Sequence, residues 1–409
     1  MKMKHYWKLL SLIVFASLVT GAFYIQGSLA SSGKPNFVIE KRSGNEEVVK
    51  NLVVMGSLQT GNYYEESLHI ANKETVYKSE QPLIENMDNA YSSPEIKRLQ
   101  QEYRNFMRGK ISDPALFYED ENHVVYAYIN WDKGSIGPTR FFFDIAVLDK
   151  DSKEVTVIQE SLPKDRSYSY AHVQDVQWMD GKLKVAAEIY SDINGRTSEL
   201  HLYSFDLQIQ KLTEDLLLSS IDAEKNPNSN ATFLNEETDI GKKKELLIEE
   251  STWEGVPYQD GFRDEKVNRQ LRLYNYETDE MLSIESPEFQ FDRVSLYDSI
   301  VYFMKKTENG LEIHPYDIVK SKYLDAHTLP IEMPSKISGV EDDSVFPRFT
   351  IKDDRIYLTS PYKDAQTKAN VLVADVKTWD VLYEGAIEQS NPNKDDLAYS
   401  LYLYSLQVK

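Results

Sequence analysis

One short pattern recurs along this chain and limits what it can fold into. A few apolar residues with the alternation of a strand are closed by an acid or amide, and a polar turn and a second apolar stretch come next. The pattern stands at Leu68-His-Ile-Ala-Asn72, Ile145-Ala-Val-Leu-Asp149, Leu202-Tyr-Ser-Phe-Asp206, Leu273-Tyr-Asn-Tyr-Glu277, Ile313-His-Pro-Tyr-Asp317 and Leu372-Val-Ala-Asp375. Self-similarity at a fixed period means that one supersecondary unit is repeated, and a spacing of about sixty residues leaves room for four strands with generous loops. The interval before Asp149 is long because it contains a helical segment.

The grammar inside a repeat is clearest from 173 to 217. Val173-Gln-Asp-Val-Gln-Trp178 runs into Asp180-Gly181 and then into Lys182-Leu-Lys-Val-Ala-Ala-Glu188. Asp-Gly between apolar alternations is the strongest short hairpin signal. A loop comes next, then strands at 199–205 and near 211–217, giving four antiparallel strands. The order recurs at 294–297, 300–305, 311–316 and 322–324, and again at 348–351, 355–359, 370–374 and 379–383, with Asp298-Ser299 and Asp353-Asp354 in the place of Asp180-Gly181. The alternating segment from Leu397 to Val408 has no hairpin partner after it, so it is expected to pair with the first repeat and remove an open sheet edge.

This architecture resembles the β-propeller, in the manner of bacterial extracytoplasmic propellers, over residues 36–409. The resemblance implies an all-β fold of about six, alternatively seven, four-stranded blades. It is architectural, since no Trp-Asp dipeptide ends successive blades and Ser191-Asp-Ile-Asn-Gly-Arg-Thr197 has Ile193 where a sialidase-like Asp-box needs its Asp.

The first thirty residues set the address. Lys2, Lys4 and Lys8 precede an uncharged apolar run from Leu9 to Ile25, and lysines held on the cytoplasmic side orient the chain beyond about residue 30 outward. Seventeen residues span roughly 25 Å, short for a membrane helix and long for a signal-peptide core. Two fates fit: a signal anchor held by residues 9–25, making a single-pass membrane protein, or cleavage near Ala30 after Ser28-Leu29 and secretion. Zero cysteines exclude lipoprotein anchoring, disulfides and thiolate metal sites, and an exported domain without disulfides rests on core size, as suits a bacterial envelope protein. A formal net charge of -20 repels nucleic acid and favours basic or neutral ligands.

One segment departs from the β pattern. Ser93-Pro94-Glu95 supplies an N-cap, an N1 proline and a first-turn acid; Ile96, Leu99, Tyr103, Phe106 and Met107 recur at helical spacing, and Gly109 ends the segment. An amphipathic helix inserted over 93–109 is expected, either padding the fold or docking a partner.

Candidate binding residues come from the connections between second and third strands, which are long and carry aromatics: Trp131, Tyr190, Trp253 with Tyr258 and Phe262, and Tyr362. Aromatics on loops held by a rigid scaffold stack on a sugar ring, a peptide side chain or a cation. Trp131 and Trp253 stand out because the chain has only five Trp against 27 Tyr.

Catalytic motifs are missing: there is no Gly-x-Ser-x-Gly elbow, no His-Glu-x-x-His helix and no phosphate-cradling Gly-rich loop. His5, His69, His123, His172, His201, His314 and His327 are isolated in sequence, and Asp149-Lys-Asp151 and Glu341-Asp-Asp343 read as solvated turns. No cofactor and no metal site is expected. Three functions fit these features: a binding or sensory module for a peptide, glycan or protein at the envelope; a carbohydrate- or peptide-active hydrolase or lyase with residues drawn from several blades; and an envelope scaffold using the inserted helix, with Leu99 and Tyr103 facing its partner.

Overall fold

The computed structural model describes residues 34–60, 64–71, 73–80, 93–132, 140–163, 168–191, 197–222, 225–226, 228–234, 240–258, 261–332, 346–361, 367–390 and 399–408, with Ser11, Val14 and Phe15. The side chains of residues 60, 64–65, 191, 256–258, 261–267, 361, 367 and 399–400 are outside that description. All but three residues of the export segment expected at 1–30 lie outside the described residues. Among the described residues no helix is long and apolar enough to cross a membrane.

The chain divides into two compact units, residues 1–90, 308–310 and 329–409 in one, and 91–307 and 311–328 in the other. The first unit holds two antiparallel sheets. In sheet A, Tyr399–Val408 lies against Leu52–Thr60, followed by Tyr64–Ile70 and Thr75–Tyr77. The expected late strand thus joins the first repeat, in register from Leu52 opposite Val408 to Thr60 opposite Tyr399. The other, sheet F, runs Arg348–Lys352, Arg355–Pro361, Thr367–Asp375 and Val381–Gln389, and gains an unexpected fifth strand, Phe37–Gly44, on its outer side. Two glycines allow that close approach. A Cβ on Gly385 would meet the Glu40 carbonyl at 2.7 Å, and one on Gly44, whose φ is +85°, would run into the Leu382 carbonyl. Phe37, Ile39, Leu52, Val54, Leu68, Tyr357, Val373 and Tyr383 form the core of this unit.

The second unit holds four antiparallel meanders. Sheet B is Phe117–Glu119, His123–Asp132, Arg140–Asp149 and Val155–Ser161; sheet C is Tyr168–Met179, Lys182–Ser191, Thr197–Asp206 and Lys211–Asp222. Sheet D is Ser229–Phe233, Glu245–Tyr258, Gly261–Asn275 and Glu280–Ile284, and sheet E contains Arg293–Tyr297, Ile300–Thr307, Gly310–Asp317 and Lys322–Tyr323. Central strands are covered on both faces. Thr197–Asp206, for example, buries every residue from Ser198 to Phe205, the polar Ser198, Glu199, His201 and Ser204 included.

The recurring acid or amide now has a physical role. In four described copies its side chain accepts backbone N–H groups two or three residues ahead: Asp149 from Asp151 and Ser152 (3.0 and 2.7 Å), Asp206 from Gln208 (2.8 Å), Asp317 from Lys320 (2.9 Å), Asp375 from Lys377 and Thr378 (2.8 Å each). The residue four positions on then adopts positive φ, at Lys153, Gln210, Asp279, Ser321 and Trp379. The loop between the paired strand ends is four residues long, closed by a backbone bond from that left-handed residue to the carbonyl of the acid or amide, as at Lys153 to Asp149 and Trp379 to Asp375. In sheet D the turn is made by Asn275, whose Oδ1 accepts from Glu277 and Thr278 at 2.8 and 3.0 Å, so the repeat ends at Asn275 and not at Glu277. In sheet F the left-handed Trp379 belongs to the turn, and the last repeat strand starts at Val381 instead of 379. The first hairpins, at Asp180-Gly181, Asp298-Ser299 and Asp353-Asp354, all have positive φ at both positions, as I′ turns require.

The inserted helix is Pro94–Glu102, capped by Ser93 onto the Ile96 N–H, with a further turn at Arg104–Met107. Ile96, Leu99, Phe106 and Met107 are buried in one core with sheets B and C. Arg98 also pairs with Glu119, which accepts from Lys150 at 2.6 Å. The two residues that a scaffold role would turn towards a partner pack inward: Leu99 is buried in that core and Tyr103 packs, partly buried, against it.

Sheets C and D are joined by buried polar groups as well as by apolar contact. Asp175 accepts from the Lys243 ammonium at 2.7 Å and from the Tyr276 hydroxyl at 2.8 Å, and Gln177 accepts from the Lys243 N–H at 2.9 Å.

Candidate binding cleft

In sheets B, E and F the two tight hairpins sit at one end, with Lys150 N–H reaching the Asn122 carbonyl, Ile318 that of Ser299 and Val376 that of Asp354. The connection between second and third strands therefore emerges at the opposite end. There, between sheets B and C, lies a cleft of about 440 Å³ lined by Asp113, Tyr128, Trp131, Phe141, Tyr170 and His172, with Ile111, Leu116, Ile129 and Ser169 completing its wall.

Strand alternation places these rings. Trp131 and Phe141 are directly opposed across sheet B. Tyr170 and Tyr190 are opposed across sheet C, their rings 5.9 Å apart. His172, two residues along the same strand face, stacks on Tyr170 at 6.2 Å. Trp131 and Tyr170 are each 51% exposed, so about half of each side chain is open to a ligand. The segment after the helix supplies Asp113, one oxygen of which caps the short turn Pro114–Leu116 through the Ala115 N–H at 3.0 Å.

The polar groups nearby are largely committed. The Ser169 hydroxyl donates to the Tyr190 carbonyl (3.2 Å), and the Tyr190 hydroxyl donates to Glu188 (2.7 Å), which also accepts from Gln174 (3.1 Å). Burial and then the Glu188 carboxylate push the Tyr190 phenol up to about 12. The Tyr170 phenol is raised by burial first and by the negative charge of Glu188 next, with Asp113 a smaller contributor. Lys110 sits 4.0 Å above the Phe106 ring, and its ammonium donates to the Phe106 carbonyl. Burial lowers its pKa, and Asp144 opposes that shift.

Of the residues singled out from sequence, Trp131 and Tyr190 come together through Tyr170. They lie on paired strand ends and not in loops, because alternation continues past the apolar core. Trp253 is likewise in a strand, opposite Lys266 within the long hairpin of sheet D, outside the cleft lining. The backbone of Tyr258 and Phe262 continues that hairpin, but their side chains, and Tyr362 altogether, lie outside the described residues. Tyr170, Tyr128, His172 and Asp113 were missed. The alternation Tyr168-Ser-Tyr170-Ala-His172, which lines up three rings on one strand face, was a signal for two of them.

No family model matches this chain, and no curated protein matches it. Among solved structures it is similar to apo AztD from Citrobacter koseri, at 10% identity over 88% of this chain and 97% of that one, with a TM-score of 0.34. It is also similar to the β-propeller domain of the trilobed protease of Pyrococcus furiosus, at 11% identity over 88% and 100%, TM-score 0.30. A puromycin-hydrolysing peptidase of Mycobacterium tuberculosis matches at 11% over 88% and 57%, TM-score 0.36. One of these is a β-propeller domain, the architecture that the sequence resembles. At these scores the superpositions carry no argument about function, and the fold rests on its own sheets and turns.

Proposed function

We propose that this chain is an extracytoplasmic binding module, a propeller of six blades corresponding to sheets A to F, exported by residues 1–30 and recognising a peptide, glycan or protein partner at the cell envelope. The observation that carries this reading is the cleft between sheets B and C, where two half-exposed rings, Trp131 and Tyr170, flank a concave wall built from four separate stretches of the chain. Rigid strand ends hold these rings, so few rotors are frozen on binding, and aromatic anchors of this kind dominate recognition energetics. Trp253, Tyr258 and Tyr362 are further candidate contacts. Ser169 donates to a backbone carbonyl instead of to His172, an arrangement that favours binding over acyl-transfer chemistry at this cleft.

The test is a Trp131→Ala, Tyr170→Ala double variant screened beside the wild-type chain on peptide and glycan arrays. Loss of the wild-type hits, with an unchanged thermal midpoint, supports the reading. Retention of every hit would place recognition elsewhere on the molecule.

A further inference from the structure

We propose that the cleft between sheets B and C binds an organic cation, an ammonium or guanidinium group, seated against Trp131 and Tyr170 and facing Asp113. The proposal rests on the cleft being the binding site and names the chemistry it selects.

Three features point the same way. The lining contains one carboxylate, Asp113, and no Lys or Arg. Two described cations border the lining in sequence: Lys110 has its ammonium on the Phe106 carbonyl and over the Phe106 and Tyr126 rings, and the exposed Arg140, next to Phe141, is paired across sheet B with Asp132. Ring faces with a carboxylate and no competing cation attract positive charge, with Trp the strongest ring partner. Second, the field is negative behind the rings as well as beside them. Glu188 lies under Tyr190, Asp144 is opposite Tyr128 across sheet B, and the Tyr170 phenol is held neutral by burial together with Glu188 and Asp113. Third, a neutral sugar needs several converging donors and acceptors to replace its hydration. Here the Ser169 hydroxyl, the Tyr190 hydroxyl and one Asp113 oxygen already have partners within the fold. What remains in the lining is the second Asp113 oxygen, the aromatic rings, and the Tyr128, Tyr170 and His172 polar atoms, whose binding of neutral groups the neutral controls below set apart from cation binding. The chain's net charge of -20 adds long-range attraction of the same sign.

The chemistry is shared by a free small amine and by a Lys or Arg side chain within a peptide, and the experiment separates these sources. The full chain, labelled with 5-fluorotryptophan, is titrated with tetramethylammonium, N-acetyl-arginine amide and a neutral-ended tripeptide with a central arginine. The neutral controls are 3,3-dimethylbutanol, N-acetyl-citrulline amide and methyl glucoside. The fluorine resonance of Trp131 is assigned by its loss in Trp131→Phe.

The expected result is a saturable shift of that resonance with the cations, at least ~10-fold tighter than with their neutral isosteres. Asp113→Asn keeps the cap acceptor and removes only the charge, and is expected to weaken cation binding ~3- to 10-fold and flatten its salt dependence. A tripeptide ~10-fold tighter than the free cations identifies a peptide side chain as the source, and equal affinity a small amine. A Trp131 shift with citrulline or glucoside equal to that with arginine overturns the cation proposal and leaves the cleft as a binding site. No response at Trp131 to any probe overturns the cation proposal, and the array test then decides the cleft.

Discussion

Asp175→Ala removes the group on which the junction of sheets C and D converges. The carboxylate is 2% exposed and uses both oxygens, one for the Lys243 ammonium and one for the Tyr276 hydroxyl. Tyr276 is 1% exposed, and burial followed by Asp175 holds its phenol well above the ordinary value. Truncation leaves that hydroxyl buried without an acceptor, at ~1–3 kcal/mol. It also removes the counter-charge of Lys243, whose greater exposure lets the ammonium turn to water and trims its share. Breaking a buried pair from one side costs about 3–5 kcal/mol at full burial, so ~3 kcal/mol is expected here, a large part of a typical domain's ~5–15 kcal/mol. Asp175→Asn retains an acceptor for Tyr276 and is expected to cost about half as much. Adding Tyr276→Phe to Asp175→Ala removes the orphaned hydroxyl, so the double variant should be milder than the sum of the singles by ~1 kcal/mol or more. Urea unfolding followed by tryptophan fluorescence, with the slope checked for constancy, measures all four. A loss below ~1 kcal/mol for Asp175→Ala, or strict additivity in the cycle, would refute the view that this carboxylate holds the junction.

Leu99→Ala empties a fully buried site beneath the inserted helix and is expected to lose ~2–5 kcal/mol in urea unfolding; a loss within ~0.5 kcal/mol would return the helix to the role of a partner-docking surface. At alkaline pH, Tyr118, Tyr126 and Tyr190 are each pushed up to about 12, by burial first in every case. Their folded values exceed the unfolded ~10, so the stability they contribute is complete below pH ~10 and is lost as pH rises through about 12. Tyrosinate absorbance and urea midpoints measured across that window should show the decline, reduced in Tyr190→Phe. A flat midpoint would contradict the burial of these phenols.

Much of the fold was legible because its signals are local. Asp180-Gly181 and the capping acids Asp149, Asp206, Asp317 and Asp375 each specify a turn from within a few residues. Where two candidate caps sat two residues apart, at Asn275 and Glu277, strand pairing across sheet D decided between them, and pairing is not local. For the same reason Phe37–Gly44 could not be foreseen as an outer strand of sheet F: its partner is Val381–Gln389, and only the space left at Gly385 shows why it fits. The cleft was half legible. Trp131 drew notice through rarity, whereas Tyr170 and Asp113 gain their meaning from packing that brings sheet B, sheet C and the post-helix segment together.

Sheet A is made of strands synthesised far apart in time, since Leu52–Thr60 emerges early and waits for Tyr399–Val408 to lie beside it. Until then its backbone donors and acceptors on that side have only water, and the unit it belongs to lacks Leu406 and Val408 from its core. A ribosome or an export channel that releases this chain from its first residues onward therefore delivers a molecule whose front end stays open until its tail arrives. Any chaperone that serves the protein has most to shield at that early edge, and truncation within residues 399–408 is expected to damage a part of the molecule made long before.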